Sequence, residues 1–182
     1  MISLRDIVPG DRDMILSWRN LPEIRKYMYT DHLITLEEHE AWFQRIMNDP
    51  TSTYWIIVCD SEDVGLVNLY SIDRRHHRCY WAFYVVSPNV RGKGVGTFAE
   101  YFVLRHVFDE LNLNKLCCEV LDFNQGVVRM HKSFGFVQEG LLRKHVFKGG
   151  KAHDVVCLGM LREEWEATKN MLTERLRDKG VL

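Results

Sequence analysis

The segment Phe83–Thr97 contains three alternate glycines, at positions 92, 94 and 96, and it limits the fold more than any other part of the chain. The apolar run before the glycines is broken by a Ser-Pro pair, and a long apolar stretch follows them. Glycines allow a tight turn with unshielded backbone N–H groups, and a helix that begins there adds the positive end of its dipole. The segment therefore predicts a strand, an anion-binding turn and a buried helix, which together suit a phosphate or pyrophosphate.

The spacing of the glycines separates the known classes of phosphate-binding turn. A Walker loop requires Lys-Ser/Thr after its last glycine, whereas Gly96 is followed directly by Thr97. A dinucleotide fingerprint requires a sixth-position glycine, and that position is Thr97 when the count begins at Gly92. The pattern Arg-x-x-Gly-x-Gly, formed by Arg91, Gly94 and Gly96, fits better than either.

A second block, Asn124–Phe136, begins with asparagine and ends in Gly-Phe. Together with the Arg-x-x-Gly-x-Gly turn, it resembles the GNAT superfamily of N-acetyltransferases. The resemblance extends over nearly the whole chain and implies acetyl-CoA as cosubstrate, with the pyrophosphate in the turn and the pantetheine arm beside the preceding strand. The residues that it assigns to acetyl-CoA are Phe83, Val85, Val86, Arg91, Gly92, Lys93, Gly94, Val95, Gly96, Thr97 and Asn124. An N-cap role alone is the alternative for Asn124.

Composition excludes several other classes of protein. The 182 residues are 46% hydrophobic and 27% charged, which is enough for one sizeable core and short for two, so we expect a single domain over residues 1–182. The net charge of −1 makes nucleic acid an unfavourable partner. The five cysteines are odd in number and lack Cys-x-x-Cys spacing, so neither a disulfide framework nor a metal site is expected. No signal peptide or membrane-length apolar run is present, so we expect a cytoplasmic protein without membrane contact.

Hydrophobic periodicity and turn residues predict a mixed α/β fold. Its parts are an antiparallel N-terminal meander, a parallel pair where the central strands splay, and a C-terminal hairpin, which agrees with the GNAT fold. The predicted strands are Ile2–Ile7, Tyr54–Cys59, Val64–Ile72, Tyr80–Val86, Lys115–Leu121, Phe136–Phe147 and Lys151–Met160. The predicted helices are Asp11–Asn20, Glu23–Tyr29, one from the capping box Thr35–Glu38 to before Asp49, Thr97–Leu111, Asn124–Phe134 and Arg162–Lys179, the last with Trp165, Met171 and Leu172 as its apolar contacts.

Two titratable residues are candidates for catalysis. Direct acetyl transfer from a thioester to an amine requires a free lone pair on the amine, donors facing the thioester oxygen, and an acid for the thiolate. His131 occupies the place where many members of the resembled family carry a tyrosine acid, and its alternative role is packing. Glu119 lies in an apolar strand, where a carboxylate is costly unless paired, so it predicts a general base or amine ligand, or else a structural salt bridge.

A third region resembles a narrower group of enzymes. The segment Trp18–Thr30, with Ile34–His39 after it, is similar to the N-acetyltransferases of pseudaminic acid biosynthesis, which acetylate the 4-amino group of a UDP-linked amino-dideoxy sugar. The resemblance implies a sugar pocket lined by Arg19, Met28, Tyr29, His39, Trp42 and Tyr80. His39 also lies on the apolar stripe of its helix, where a core histidine is the alternative. The basic segment Asp73–Arg78 is expected to be a solvated hairpin end or to bind the diphosphate of the UDP-linked sugar.

Other acceptors and one other class of protein stay open. The run Val64–Leu69 and the basic segment also resemble spermidine acetyltransferases, and acetylation of protein N-termini is a further alternative. A non-catalytic acyl-CoA sensor is the alternative outside the enzymes. Within Arg19–Tyr29 three cations stand against Glu23 alone, which favours an anionic small-molecule amine over a polycation. The oligomeric state is left open, a homo-oligomer included.

Overall fold

The computed structural model describes all residues from Met1 to Leu182. Seven strands form one sheet: β1 (Ile2–Asp6), β2 (Thr53–Cys59), β3 (Glu62–Asp73), β4 (Arg78–Val85), β5 (Lys115–Leu121), β6 (Val137–Lys148) and β7 (Lys151–Leu161). Their spatial order is β1-β2-β3-β4-β5-β7-β6. All neighbours are antiparallel except β4 and β5, which are parallel. The predicted mixed α/β fold, with its meander, parallel pair and C-terminal hairpin, is confirmed.

Six helices flank the sheet: α1 (Arg12–Arg19), α2 (Pro22–Arg25), α3 (Leu36–Met47), α4 (Val95–Arg105), α5 (Gln125–Phe134) and α6 (Arg162–Asp178). After α4 the chain continues as a π-helical turn, His106–Glu110, in which the Leu111 amide donates to the His106 carbonyl. The helix predicted for Thr97–Leu111 is therefore continuous but changes from α-helical to π-helical geometry at His106. None of the helices combines the length and hydrophobicity that crossing a lipid bilayer demands.

The sheet separates two apolar layers because successive side chains of a strand point to opposite faces. On β2, Trp55 and Ile57 belong to a large cluster that includes residues of α4, α5 and α6. Ile56, between them, belongs to a smaller cluster with residues of α1, α2 and α3. Full burial of such a side chain contributes about 1.5–3 kcal/mol. The alternation on β2 thus fixes which helices cover which face.

Strand β4 is paired on both sides for only part of its length. It pairs with β3 from Tyr80 to Val85, but its parallel pairing with β5 covers only Arg78–Tyr80. Beyond Tyr80 the two central strands diverge, so one edge of β4 is left without a neighbouring strand. This open edge leads directly to the glycine-rich turn.

Three predicted local details are wrong or incomplete. The capping box of α3 is half made: the Thr35 hydroxyl accepts from the Glu38 amide at 3.2 Å, but the Glu38 carboxylate bonds His32 instead of the Thr35 amide. The short helix expected over Glu23–Tyr29 is confined to α2. On α6, Met171 is 58% exposed.

The buried apolar residues of α6 are Trp165 and Leu172, as predicted, and Leu176, which takes the place expected for Met171.

Candidate active site

The glycine turn between β4 and α4 presents a row of unpaired backbone donors. Gly92 and Gly94 both have φ of +81°, a left-handed conformation that glycine adopts without strain. Gly94 is the N-cap of α4, and the amides of the first helical turn have no intrahelical partner. The amides of Gly92, Gly94, Val95, Gly96 and Thr97 have no acceptor elsewhere in the protein. Five N–H groups and the positive end of α4 are therefore free to bind an anion.

A groove of about 1180 Å³ runs along this turn and the open edge of β4. All eleven residues that the sequence assigned to acetyl-CoA line it. The turn contributes the cations of Arg91 and Lys93. A Cβ at Gly96 would lie 3.2 Å from the Phe83 ring, so the missing side chain keeps this wall close to the strand. Free amides and cations of this kind fit the phosphates of acetyl-CoA.

The open edge of β4 supplies two further donors. The Val86 amide donates to the Val64 carbonyl of β3 at 2.8 Å. Because N–H groups alternate in direction along a strand, those of Phe83 and Val85 point to the other side, where β5 has diverged. Phe83 and Val85 therefore present free donors to the groove. Val86 lines the groove as predicted, but its amide is bonded to Val64 and is not a free donor there.

A second cavity, of about 660 Å³, opens on the opposite side of Phe83. It is contiguous with the groove, because Tyr27, Met28, Phe83 and Tyr84 line both. Aromatic and charged side chains predominate: the remaining lining residues include Arg19, Tyr29, Glu38, His39, Trp42, Arg45, Tyr54, Asn68, Tyr70 and Glu119. The predicted acceptor residues Arg19, Met28, Tyr29, His39 and Trp42 are thus brought together, and Glu119 joins them.

Glu119 is held by a tyrosine and not by a cation. The Tyr29 hydroxyl donates to Oε2 of Glu119 at 2.7 Å. Partial burial, and then this bond, raise the pKa of Tyr29, so the phenol keeps its proton. Glu119 forms no salt bridge, and its carboxylate faces the cavity that meets the groove. It is therefore placed where an ammonium group can contact it.

Arg19 is the half-buried cation of this cavity, whereas Arg45 is exposed. Its Nη1 lies 3.1 Å from the sulfur of Met28, and no carboxylate is within salt-bridge distance of it. The side chain is half-buried, and burial lowers the pKa of the guanidinium. A charge that is partly removed from water without a counterion is unfavourable, so an anion that enters the cavity would be stabilised there.

His39 combines both roles that the sequence allowed. It is 2% exposed, and its Nε2 donates to the Arg12 carbonyl at 2.7 Å. Burial lowers its pKa, so the imidazole is neutral at physiological pH. Its ring also lines the cavity and packs against Trp42 with a centroid separation of 5.1 Å. It is a bonded core histidine that shapes the acceptor cavity.

Two predicted residues lie outside both cavities. His131 faces the core from α5, where its Nδ1 is 2.8 Å from Oε1 of Glu100 and its ring packs on Trp81. Tyr80 lies in a separate shallow depression of about 350 Å³, next to Arg74 and Arg78 of the hairpin tip. Its ring packs at a tilt against that of Tyr70, with 5.5 Å between the ring centroids, and only Tyr70 reaches the acceptor cavity.

Several lining residues were missed by the sequence analysis. Tyr54, Asn68 and Ala82 are register partners across β2, β3 and β4, so their side chains share one face of the sheet. Two-residue alternation from Tyr84 and Leu66 was the signal that would have identified them. Lys179 and Val181, far away in the sequence, line the coenzyme groove and carried no such signal.

The comparisons with known proteins give a consistent family. Residues 2–137 match the family model described as an acetyltransferase (GNAT) domain. The uncharacterized N-acetyltransferase YokL, derived from the SPbeta prophage in Bacillus subtilis, is 33% identical over 167 residues, which is 91% of this chain and 92% of that protein. The acetyltransferase PseH of Campylobacter jejuni is 26% identical over 68% of this chain and 75% of its own length.

Among solved structures, the spermidine N-acetyltransferase of Vibrio cholerae, in complex with CoA and spermine, matches with a TM-score of 0.84. It is 25% identical, and the match covers 91% of this chain and 98% of that one. One relative named for spermidine and one named PseH are thus similar to this chain at almost equal identity, so identity alone does not select between their substrates.

Proposed function

The chain belongs to the GNAT family of acetyltransferases, and on this basis we propose that it acetylates the 4-amino group of a UDP-linked amino-dideoxy sugar. It is an acetyl-CoA-dependent N-acetyltransferase. The observation that carries the proposed acceptor is the guanidinium of Arg19, which lines the acceptor cavity without a carboxylate partner.

Charge in the cavity supports an acceptor that carries an anion as well as an amine. Arg19 and Arg45 stand against Glu38 and Glu119. Glu38 is already bonded by His32, whereas Arg19 has no counterion. Two unit charges of the same sign repel by about 4 kcal/mol at about 4 Å when the effective dielectric constant is about 20. A polycation beside Arg19 would incur this repulsion, and a sugar nucleotide diphosphate would gain a comparable attraction.

The apolar walls also suit a sugar ring. Tyr29, Trp42, Tyr54 and Tyr70 line one cavity with His39, whose neutral imidazole adds no charge. Such residues pack against the faces of a pyranose while their polar edges bond hydroxyl groups. Spermidine, by contrast, is best held by a line of carboxylates. The cavity offers two, of which only Glu119 is without a charged partner.

The residues have distinct roles in the proposed transfer. Bound acetyl-CoA supplies an activated acetyl group. Glu119, oriented by the Tyr29 hydroxyl, accepts a proton from the ammonium of the acceptor, which frees its lone pair. The N–H groups of Phe83 and Val85 on the open edge of β4 stabilise negative charge that develops on a carbonyl oxygen beside them. Phe83, shared by the groove and the cavity, marks the place where the two substrates meet.

A spermidine acetyltransferase is the second candidate. Glu119 and Glu38 on an aromatic-lined cavity are the observation in its favour, because carboxylates and aromatic faces bind ammonium groups. The similarity to the Vibrio cholerae enzyme covers more of the chain than the similarity to PseH does. The two candidates differ in the expected effect of Arg19 on acceptor binding: it should attract a UDP-linked sugar and repel spermidine.

The test is a comparison of acceptors in one assay. Release of CoA thiol is measured with a UDP-linked 4-amino-dideoxy sugar, with spermidine, and with a peptide bearing a free N-terminus, each over the same concentration range. We expect the highest kcat/KM with the UDP-linked sugar. Spermidine turnover above that of every UDP-amino sugar tested would overturn the proposed acceptor while leaving the acetyltransferase activity intact.

A further inference from the structure

The C-terminal end of α6 reverses direction and returns toward the glycine turn. Gly180 has φ of +64°, and its amide donates to the Arg177 carbonyl at 2.8 Å. The Val181 amide donates to the Leu176 carbonyl at 2.9 Å. These two bonds form a Schellman motif, in which glycine supplies the left-handed residue and the next residue packs back on the helix. The terminal carbonyl groups of Leu176 and Arg177 are thereby covered.

The reversal brings Val181 against the turn that binds the coenzyme in the proposed function. A Cβ placed on Gly94 would lie 2.6 Å from Cγ2 of Val181, so the valine packs directly on this glycine. Lys179, Gly180 and Val181 all line the groove together with the turn. Because a bare turn would be free to shift, contact with Val181 holds its amides in their left-handed geometry.

Charge around the groove assigns a second task to this segment. Arg91, Lys93, Lys26 and Lys179 line it, against Glu23 as its only acidic side chain. The ammonium of Lys93 is already 3.3 Å from the Asp60 carboxylate, which neutralises part of its charge. Lys179 makes no salt bridge or side-chain hydrogen bond, so its charge is available to a ligand.

We infer that Lys179–Val181 is a functional wall of the acetyl-CoA site, in which Val181 supports the glycine turn and Lys179 binds a phosphate of the coenzyme. The inference deepens the proposed coenzyme site and rests on it. Acetyl-CoA carries a pyrophosphate and a 3′-phosphate, and a flexible lysine suits either as a point charge.

The first experiment measures acetyl-CoA binding to Lys179→Gln by calorimetry. The matched control is Arg177→Gln, which removes one positive charge from the same helix end but lies outside the groove. We expect the Kd of Lys179→Gln to rise about threefold to tenfold and to depend less on salt, since one charge-assisted contact is lost. Arg177→Gln should bind as the wild type does. Equal affinities for the two variants would overturn the role of Lys179.

Dephospho-acetyl-CoA, which lacks the 3′-phosphate, identifies the contact. If Lys179→Gln and the wild type bind this ligand equally, Lys179 contacts the 3′-phosphate. If Lys179→Gln still binds it more weakly than the wild type, Lys179 contacts the pyrophosphate. Both outcomes support the inference.

Val181→Asp tests the support of the turn. Removing the apolar contact and adding a negative charge beside Gly94 should weaken acetyl-CoA binding about tenfold or more, with a thermal unfolding midpoint that shows a folded protein at the assay temperature. Binding that matches the wild type would overturn the role of Val181.

Gly96→Val separates this inference from the proposed site, because its side chain would press on Phe83 whatever α6 does. Unchanged binding in Gly96→Val would contradict the groove itself. If Gly96→Val loses acetyl-CoA binding while Lys179→Gln and Val181→Asp bind as the wild type does, only the inference about Lys179–Val181 is contradicted.

Discussion

Nδ1 of His131 lies 2.8 Å from Oε1 of Glu100, and both side chains are buried, at 3% and 0% exposure. The other carboxylate oxygen of Glu100 has no partner. Burial raises the pKa of Glu100, while the bond to His131 acts in the opposite direction. The imidazole and the carboxyl group therefore form one isolated polar pair in the large apolar cluster beneath the coenzyme groove.

This pair predicts a specific pH dependence of stability. Glutamate ordinarily titrates near 4.5, and burial raises the value in the folded protein. Between the two values the folded protein retains a proton that the unfolded chain releases, so the free energy of unfolding decreases as pH rises through that window. Glu100→Gln cannot titrate. Its stability relative to the wild type should therefore improve with rising pH, by about 1.4 kcal/mol for each unit of the pKa shift.

Urea unfolding at a series of pH values from acid to neutral measures this difference. Glu174→Gln, on α6, is a suitable control because its side chain is exposed and makes no salt bridge. Parallel stability curves for the wild type and Glu100→Gln would show that the raised pKa of Glu100 makes no contribution.

Replacing His131 separates its structural role from the catalytic role proposed from the sequence. His131→Ala leaves the Glu100 carboxylate buried and unpaired, which we expect to cost about 3–5 kcal/mol of stability. If His131 also protonates the thiolate, kcat of the folded variant should fall about a hundredfold with an unchanged Kd for acetyl-CoA.

The double variant His131→Ala/Glu100→Leu removes both polar groups and should recover most of the stability. Recovery of both stability and kcat in this variant would assign His131 to packing alone. Recovery of stability with kcat still low would support His131 as the acid that protonates the thiolate.

The success of the sequence analysis depended on how local each signal was. The turn around Gly94 is encoded by residues adjacent in the chain, so its conformation and its row of amides followed from spacing. The pairing of His131 with Glu100 joins residues 31 positions apart, and each alone is typical of an exposed helix face. Val181 reaches Gly94 only because α6 packs on the sheet, which no local pattern specifies. The contacts that the sequence did not predict, His131 with Glu100 and Val181 with Gly94, are both created by tertiary packing.

Gly94→Val should weaken acetyl-CoA binding for two reasons. A β-branched residue is strained at φ of +81°, and its Cβ would collide with Val181. We expect a loss of at least about 1 kcal/mol in binding free energy, the scale of one lost charge-assisted hydrogen bond. Gly140→Val is the matched control, since a Cβ there meets nothing within 4 Å. Calorimetry that gives the same affinity for both variants would contradict the site.

A clasp of hydrogen bonds among Thr30, Asp31, Lys148 and Gly149 connects the wall of the acceptor cavity to the β6–β7 hairpin. The ammonium of Lys148, which is 8% exposed, contacts the Thr30 carbonyl and Asp31 at 3.1 Å, and the Gly149 amide donates to Asp31 at 2.8 Å. Thr30 and its neighbour Tyr29 line the cavity.

We expect Asp31→Ala to loosen this wall and raise KM for the acceptor several-fold, with KM for acetyl-CoA unchanged. Steady-state kinetics with each substrate varied in turn measures both constants. Lys151→Ala, on the same hairpin but outside the clasp, should resemble the wild type. A rise of both KM values in Asp31→Ala would point to general destabilisation instead.

Arg19→Gln decides between the two proposed acceptors by the sign of its effect. The guanidinium attracts an anionic acceptor and repels a polycation, and glutamine keeps a similar length and some hydrogen bonding without the charge. For a UDP-linked amino sugar we expect kcat/KM to fall about tenfold or more, because an unpaired cation beside a diphosphate contributes a charge-assisted contact. For spermidine the same change should raise kcat/KM, since a repulsion is removed. Arg143→Gln, on the exposed face of β6, removes the same single positive charge from the protein as Arg19→Gln does. It should leave kcat/KM for both acceptors unchanged. Equal losses of activity toward both acceptors would show that Arg19 shapes the cavity but does not distinguish acceptors by their charge. The proposed preference for an anionic acceptor would then be wrong.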